Sequence, residues 1–169
     1  GEAIINAAVR SGRKAKAFRL ALGYGAGFSN SDQRVLYQFV KGAILNKQIK
    51  MRDSGNAKRT YGSLVDCARM IIVGLLSGKH QVYNIGGISR CSILELANQI
   101  GNIAKVEVIP GPQLPKSKVL QAAPSEVWLD LSRILNEFPL ELEPLNSGLS
   151  RVFKWASQKN FFNDERTLN

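Results

Sequence analysis

Lys58-Arg59-Thr60-Tyr61-Gly62-Ser63-Leu64-Val65-Asp66 decides the fold, with Tyr83-Asn84-Ile85-Gly86-Gly87 behind it. The segment around Arg59-Thr60-Tyr61 reads as a short extended strand. Asp66 then opens an apolar helix through Ala68, Ile71, Ile72, Leu75 and Leu76, which closes near Gly78. Residues 81–85 read as a second strand that ends on the glycine pair. Strand, helix and strand in close succession point to an α/β arrangement.

The same alternation extends outward. Residues 2–10 carry Ile4, Ile5, Ala7, Ala8 and Val9 among good helix formers, and Ser11-Gly12 stops them. A basic run over 13–16 leads to a short strand at 17–22 and a loop over Gly23-Tyr24-Gly25-Ala26-Gly27. Asp32 is the expected cap of a helix whose face is Val35, Leu36, Phe39, Val40, Ala43 and Ile44. An extended piece around Ile49-Lys50-Met51 and the turn Asp53-Ser54-Gly55-Asn56 follow. Downstream, Ser92-Ile93-Leu94-Glu95 has the spacing of a capping box, with Ser and Glu three apart at the head of an apolar run. That helix is expected to end at Gly101, with a strand over 106–109 after it. A proline-punctuated loop spans 110–124, helices cover 131–137 and 147–157, and 163–169 is a frayed tail.

The chain has 169 residues, enough for one domain, with 44% hydrophobic and 21% charged residues. No apolar run approaches the roughly 18 residues that span a bilayer. The start, Gly1-Glu2-Ala3-Ile4-Ile5-Asn6, has neither the basic region nor the apolar stretch of a signal peptide, and no initiator Met. The expectation is that it begins inside a longer gene product. Cys67 and Cys91 lack metal-ligand spacing and read as buried thiols in a reducing cytoplasm.

The net charge of +10 needs an explanation. The densest cluster is Arg10, Arg13, Lys14, Lys16 and Arg19, without interleaved aromatics for base stacking, so nucleic acid is not the expected partner. A nucleotide diphosphate needs only two or three cations. The rest form a solvated face, or one that meets another part of the protein.

Arg59 is the best candidate for a diphosphate, because its planar fork donates two parallel hydrogen bonds to phosphate oxygens. Its bland reading is a surface or ion-paired residue. The ordered set Gly55, Arg59, Tyr61, Val65 and Asp66 resembles the segment with which extended short-chain dehydrogenases/reductases of the NAD-dependent nucleotide-sugar epimerase/dehydratase family grip that group. Other segments resemble the family in order: 19–25, 32–40, 83–87, 92–97, 129–133 and 144–149. The resemblance implies the C-terminal, substrate-binding part of an extended Rossmann-type enzyme, with the cofactor-binding half absent.

It also implies roles. Arg34 and Val35 stand where relatives such as UDP-glucuronate decarboxylases contact the nucleotide, and Arg52 stands near the position that flanks the base. Leu22 occupies a substrate-holding position where the family often has Asn. Ala26 replaces a usual Pro, and Gln121-Ala122-Ala123-Pro124-Ser125 replaces a segment that often carries a second phosphate-binding Arg. The full-length enzyme would use NAD(P), with none expected on this chain alone. Its substrate would be a nucleotide-diphosphate sugar that is epimerised, dehydrated or decarboxylated. A homodimer through the N-terminal helix is expected, with no membrane association. The alternative is a stand-alone, non-catalytic binding or interaction module derived from the same fold.

Several groups are weaker candidates. Tyr37 and Lys41 have Tyr-x-x-x-Lys spacing, but Tyr37 borders an apolar stripe and no cofactor unit precedes it. By resemblance, the family's catalytic pair lies just upstream of Gly1. The 23–27 glycine loop lacks the dinucleotide fingerprint. His80 reads as an exposed loop residue and Trp128 and Trp155 as core anchors. No pair of carboxylates is arranged for acid/base work.

Overall fold

The computed structural model describes residues 1–113, 125–158 and 162. The expected tail at 163–169 and most of the expected proline-punctuated loop (114–124) lie outside them. Helix α1 spans Glu2–Arg10, followed by strands β1 (Ala17–Leu20) and β2 (Leu22–Tyr24). Then come α2 (Val35–Leu45), β3 (Gln48–Lys50), β4 (Lys58–Ser63) and α3 (Leu64–Ser77). β5 (Val82–Ile85), β6 (Arg90–Ser92), α4 (Ile93–Ala104) and β7 (Glu107–Ile109) follow. β8 (Glu126–Val127), α5 (Ser132–Glu137) and α6 (Leu145–Gln158) complete the described chain.

The fold is mixed α/β with parallel pairing, as the alternation of strands and helices predicts. β1 runs parallel to β5, β2 parallel to β4, and β3 parallel to β7, while β6 lies antiparallel on the other side of β4. The single strand expected over 17–22 is in fact two. Ala21 donates its N–H to Ile85, and beyond it the chain changes partner from β5 to β4. Gly23 and Tyr24, expected in a loop, are ladder residues opposite Gly62 and Ser63.

The glycines at the end of β5 make this crossover possible. A Cβ on Gly86 would fall 2.6 Å from that of Ala21, and one on Gly87 would overlap the Tyr61 carbonyl oxygen. A Cβ on Gly62 would fall 2.7 Å from Gly86 Cα. At such distances backbone meets backbone, so side chains are excluded.

Two boundaries are corrected. Gly101 does not stop α4; it lies inside the helix because a Cβ there would sit 2.6 Å from Val108 Cγ2 of β7. The helix ends instead at Ala104, with Lys105 in the left-handed conformation (φ 56°). The Ser92–Glu95 capping box forms with both reciprocal bonds. Asp32 is not the N-cap of α2, a place taken by Arg34. Its carboxylate, two residues ahead of that N-cap, accepts from the Arg34 N–H at 3.0 Å.

Two apolar clusters hold the molecule. The larger joins α2, α4 and α6 to β3 and β4 through buried residues such as Phe39, Val40, Ile49, Leu96, Ile100 and Val152. The smaller gathers Met70, Tyr83, Ile85, Leu131 and Ile134 between α3, β5 and α5. Burial of each such side chain stabilises by about 1.5–3 kcal/mol. Trp155 packs on the larger cluster, edge-on to Phe28 at 5.2 Å. Trp128 is not the expected core anchor: it is exposed, with the Arg90 guanidinium 5.8 Å above its ring. Apolar surface also remains uncovered. α1 buries no residue, and Val65, Ile72 and Leu76 mark an exposed face of α3.

Candidate functional site

The site follows from two periodicities. On β4, Arg59 and Tyr61 are two apart and share a face; Tyr61 pairs with Leu22 of β2. On α2, Val35, Gln38, Gly42 and Leu45 recur at helical spacing. Between that strand face and that helix face lies an open cavity of about 1210 Å³. Its floor and far wall come from β3 and the turn after it, which contribute Ile49, Lys50, Met51, Arg52 and Asp53. The turn is held by Gly55, whose φ of 69° is left-handed and whose N–H donates to Asp53 Oδ1 at 2.8 Å.

Four of the five residues singled out in the sequence line this one space: Leu22, Val35, Arg52 and Arg59. Arg59 is half-buried and donates from Nη1 to the Lys58 carbonyl at 2.7 Å, which leaves the other face of the guanidinium uncommitted among the bonds of the described residues. Arg34 is elsewhere. It lines a smaller neighbouring cavity of about 120 Å³ together with Leu22, Val35 and Tyr61. Its fork is taken up by Asp32, at 2.6 Å from Nη2 to Oδ2, and by the Gly23 carbonyl at 2.9 Å from Nη1. The guanidinium also lies 4.8 Å over the Tyr37 ring. The Asp32 hydrogen bond raises the Arg34 pKa, and the same bond holds the Asp32 carboxyl below its usual range.

Tyr61 belongs to the quoted motif but was not counted as a site residue. It lines both cavities and is 4% exposed, and its hydroxyl has no hydrogen-bond partner among the described residues. Burial pushes its pKa up, so it stays a neutral phenol. The signal was present in its position two residues from Arg59 on the same strand. Lys41, Lys50 and Asp53 also line the larger cavity and were not counted as site residues.

The weaker candidates separate. Tyr37 is a core residue stacked on Phe28 at 4.0 Å, its hydroxyl accepting from Gly25 N–H at 3.2 Å, while Lys41 lines the larger cavity. His80 is exposed, and its carbonyl accepts from Lys16. Among the described residues no three His, Cys, Asp or Glu side chains are grouped to hold a metal. The glycines of 23–27 do not lead into a helix: α2 begins only at Val35, and Asp32 and Arg34 occupy its approach. No helix among the described residues is long and apolar enough to cross a membrane.

Comparison with known proteins gives the family. A family model described as "NAD dependent epimerase/dehydratase family" matches residues 1–86, just over half of the chain. A dTDP-4-dehydro-6-deoxy-D-allose reductase of Streptomyces bikiniensis is 28% identical over 137 residues, covering 79% of this chain and 40% of the reductase. The chain thus spans about two-fifths of the length of the curated relatives it matches. A UDP-glucose 4-epimerase from Thermotoga maritima, solved with UDP-glucose, superposes with a TM-score of 0.78 at 19% identity, over 90% of this chain and 49% of that one. A dTDP-glucose 4,6-dehydratase from Bacillus anthracis, solved with NAD, gives 0.77 at 18% identity, over 92% and 48%. At that identity the two solved structures show a shared fold. The family-model match, carried by the segment from α1 to the end of β5, shows more: this chain belongs to the NAD dependent epimerase/dehydratase family.

Proposed function

We propose that this chain is the nucleotide-sugar-binding portion of an NAD-dependent sugar-nucleotide epimerase, dehydratase or reductase, with the dinucleotide held by another part of the protein. The observation that carries the reading is the convergence of Arg59, Arg52, Leu22 and Val35 on a single cavity. In this reading Arg59 holds the diphosphate through its fork, Arg52 flanks the base, and Leu22 and Val35 pack against the ligand. Arg34 is a second and weaker cationic contact, since it already shares its fork with Asp32. The Tyr61 hydroxyl gains in the ligand the hydrogen-bond partner it lacks among the described residues. A relative's printed name supports the ligand class: the Thermotoga epimerase was solved with UDP-glucose.

The cofactor would supply hydride chemistry in the whole enzyme, and this chain binding energy and orientation. Alone it is inactive and binds NAD weakly or not at all. The exposed apolar face of α3 and the unburied α1 support a role as surfaces that meet other protein, α1 as a homodimer contact. With Cys67 and Cys91 both free and buried, a reducing cytoplasm is the proposed compartment.

Calorimetric titration of UDP- and dTDP-sugars tests the site. Arg59→Ala is expected to weaken binding by about 1.5–3 kcal/mol, the range for hydrogen bonds to charged groups. Arg59→Lys is expected to weaken it too, since a point charge cannot reproduce the fork. Unchanged affinity in both folded variants would remove Arg59 from the site.

A further inference from the structure

Resting on that reading, we propose that the sugar of the bound nucleotide is an acidic one, a uronate or another carboxylate-bearing sugar, and not a neutral hexose. The argument is a charge balance inside the cavity. Among the described residues its wall carries Lys41, Lys50, Arg52 and Arg59 against the single carboxylate of Asp53, a net of +3. The whole chain carries +10 over 169 residues, so this space holds a disproportionate share.

Elsewhere the fold ties arginines to carboxylates, as in Arg19–Glu2, Arg34–Asp32, Arg69–Asp66 and Arg151–Glu143. None of the four cavity cations enters a salt bridge among the described residues, and Asp53 commits one oxygen to the Gly55 N–H.

A diphosphate carries one negative charge on each phosphate and leaves one positive charge of the wall unmatched. A concave wall of one sign focuses its field into the space it encloses and holds best the ligand whose charge matches it. Within this ligand class the nucleoside diphosphate is the constant part and the sugar the variable one. The third negative charge therefore belongs to the sugar, and Lys41 and Lys50 become determinants of specificity.

Matched pairs test this without assuming a base: UDP-glucose against UDP-glucuronate, and GDP-mannose against GDP-mannuronate, with UDP and GDP alongside. The expected result is that the carboxylate member of the binding pair is tighter by about 10-fold at about 50 mM salt, narrowing to about 2–3-fold at about 500 mM as screening shortens. In a Lys41→Gln, Lys50→Gln variant the low-salt ratio should fall to about twofold or less. Equal affinities within a pair that does bind would overturn the acidic-sugar inference and leave the nucleotide site standing. A preference that ignores salt and the double substitution would overturn it as well, because shape alone would be selecting. Failure of every sugar nucleotide and both free diphosphates to bind would overturn both readings.

Discussion

Removing the Asp66 side chain is expected to destabilise the fold far more than its surface partner suggests. Asp66 is 4% exposed, in the first turn of α3. One carboxylate oxygen accepts from the Glu143 N–H at 2.8 Å, and the other from Arg69 Nη1 at 3.2 Å. The first bond ties the start of α3, 77 residues away in sequence, to the segment that leads into α6. A hydrogen bond to a charged acceptor contributes about 1.5–3 kcal/mol, and its loss leaves a part-buried N–H without a partner. A negative charge in the first turn of a helix adds about 0.3–1 kcal/mol. The Arg69 pair, half exposed, adds little. Asp66→Ala should therefore cost about 2–4 kcal/mol, and Arg69→Gln under about 1 kcal/mol. Urea unfolding checks both: with a slope of about 2 kcal/mol/M, the Asp66→Ala midpoint should drop by about 1–2 M at an unchanged slope. A loss below about 0.5 kcal/mol in Asp66→Ala, or equal losses in the two variants, would refute the assignment of the energy to the Glu143 bond.

Three further expectations follow from the same geometry. The Tyr83 hydroxyl, 2.6 Å from Glu137, is the main cause that holds the Glu137 carboxyl below its ordinary value of 4.5. A depressed carboxyl stabilises above its unfolded pKa and loses that contribution as pH falls through its folded one, so Glu137→Gln should flatten the acid limb of the stability profile below about pH 4.5. Burial pushes the Cys91 thiol up to about 11 and raises Cys67 as well, so thiol reagents near pH 8 should label neither until the chain unfolds; prompt labelling of native protein would contradict the buried assignment. Ile4 and Val9 stand exposed on α1, and sedimentation should show self-association that Ile4→Glu weakens; a clean monomer at high concentration would count against α1 as a contact.

Where one residue's chemistry set its local structure, the fold was legible in the sequence. The Ser92–Glu95 capping box, the apolar period of α2 and the strand into Gly86-Gly87 all read directly. What a residue meets from far along the chain did not. Gly101 looked like a helix stop and is a close-approach point for β7, because the Val108 side chain that excludes a Cβ is invisible to local reading. Residues 17–24 changed sheet partner midway for the same kind of reason, the arrival of β5 and β4 from later in the chain. The site shows the same division. Leu22, Val35, Arg52 and Arg59 were named from ordered segments and fall around one cavity, whereas Arg34 was named and is turned toward Asp32. Tyr61 needed the ladder with Leu22 before its buried hydroxyl could be seen to matter.

The most direct test of the account is where a sugar nucleotide sits on the chain. Amide shifts of the ¹⁵N-labelled protein should be followed as UDP-glucose or dTDP-glucose is added. The account predicts saturable changes at Leu22, Gln38, Met51, Arg52, Asp53 and Arg59, the walls of the cavity, with α1 and α5 unaffected. Saturable changes centred on the basic stretch from Arg10 to Arg19, with the cavity silent, would contradict it.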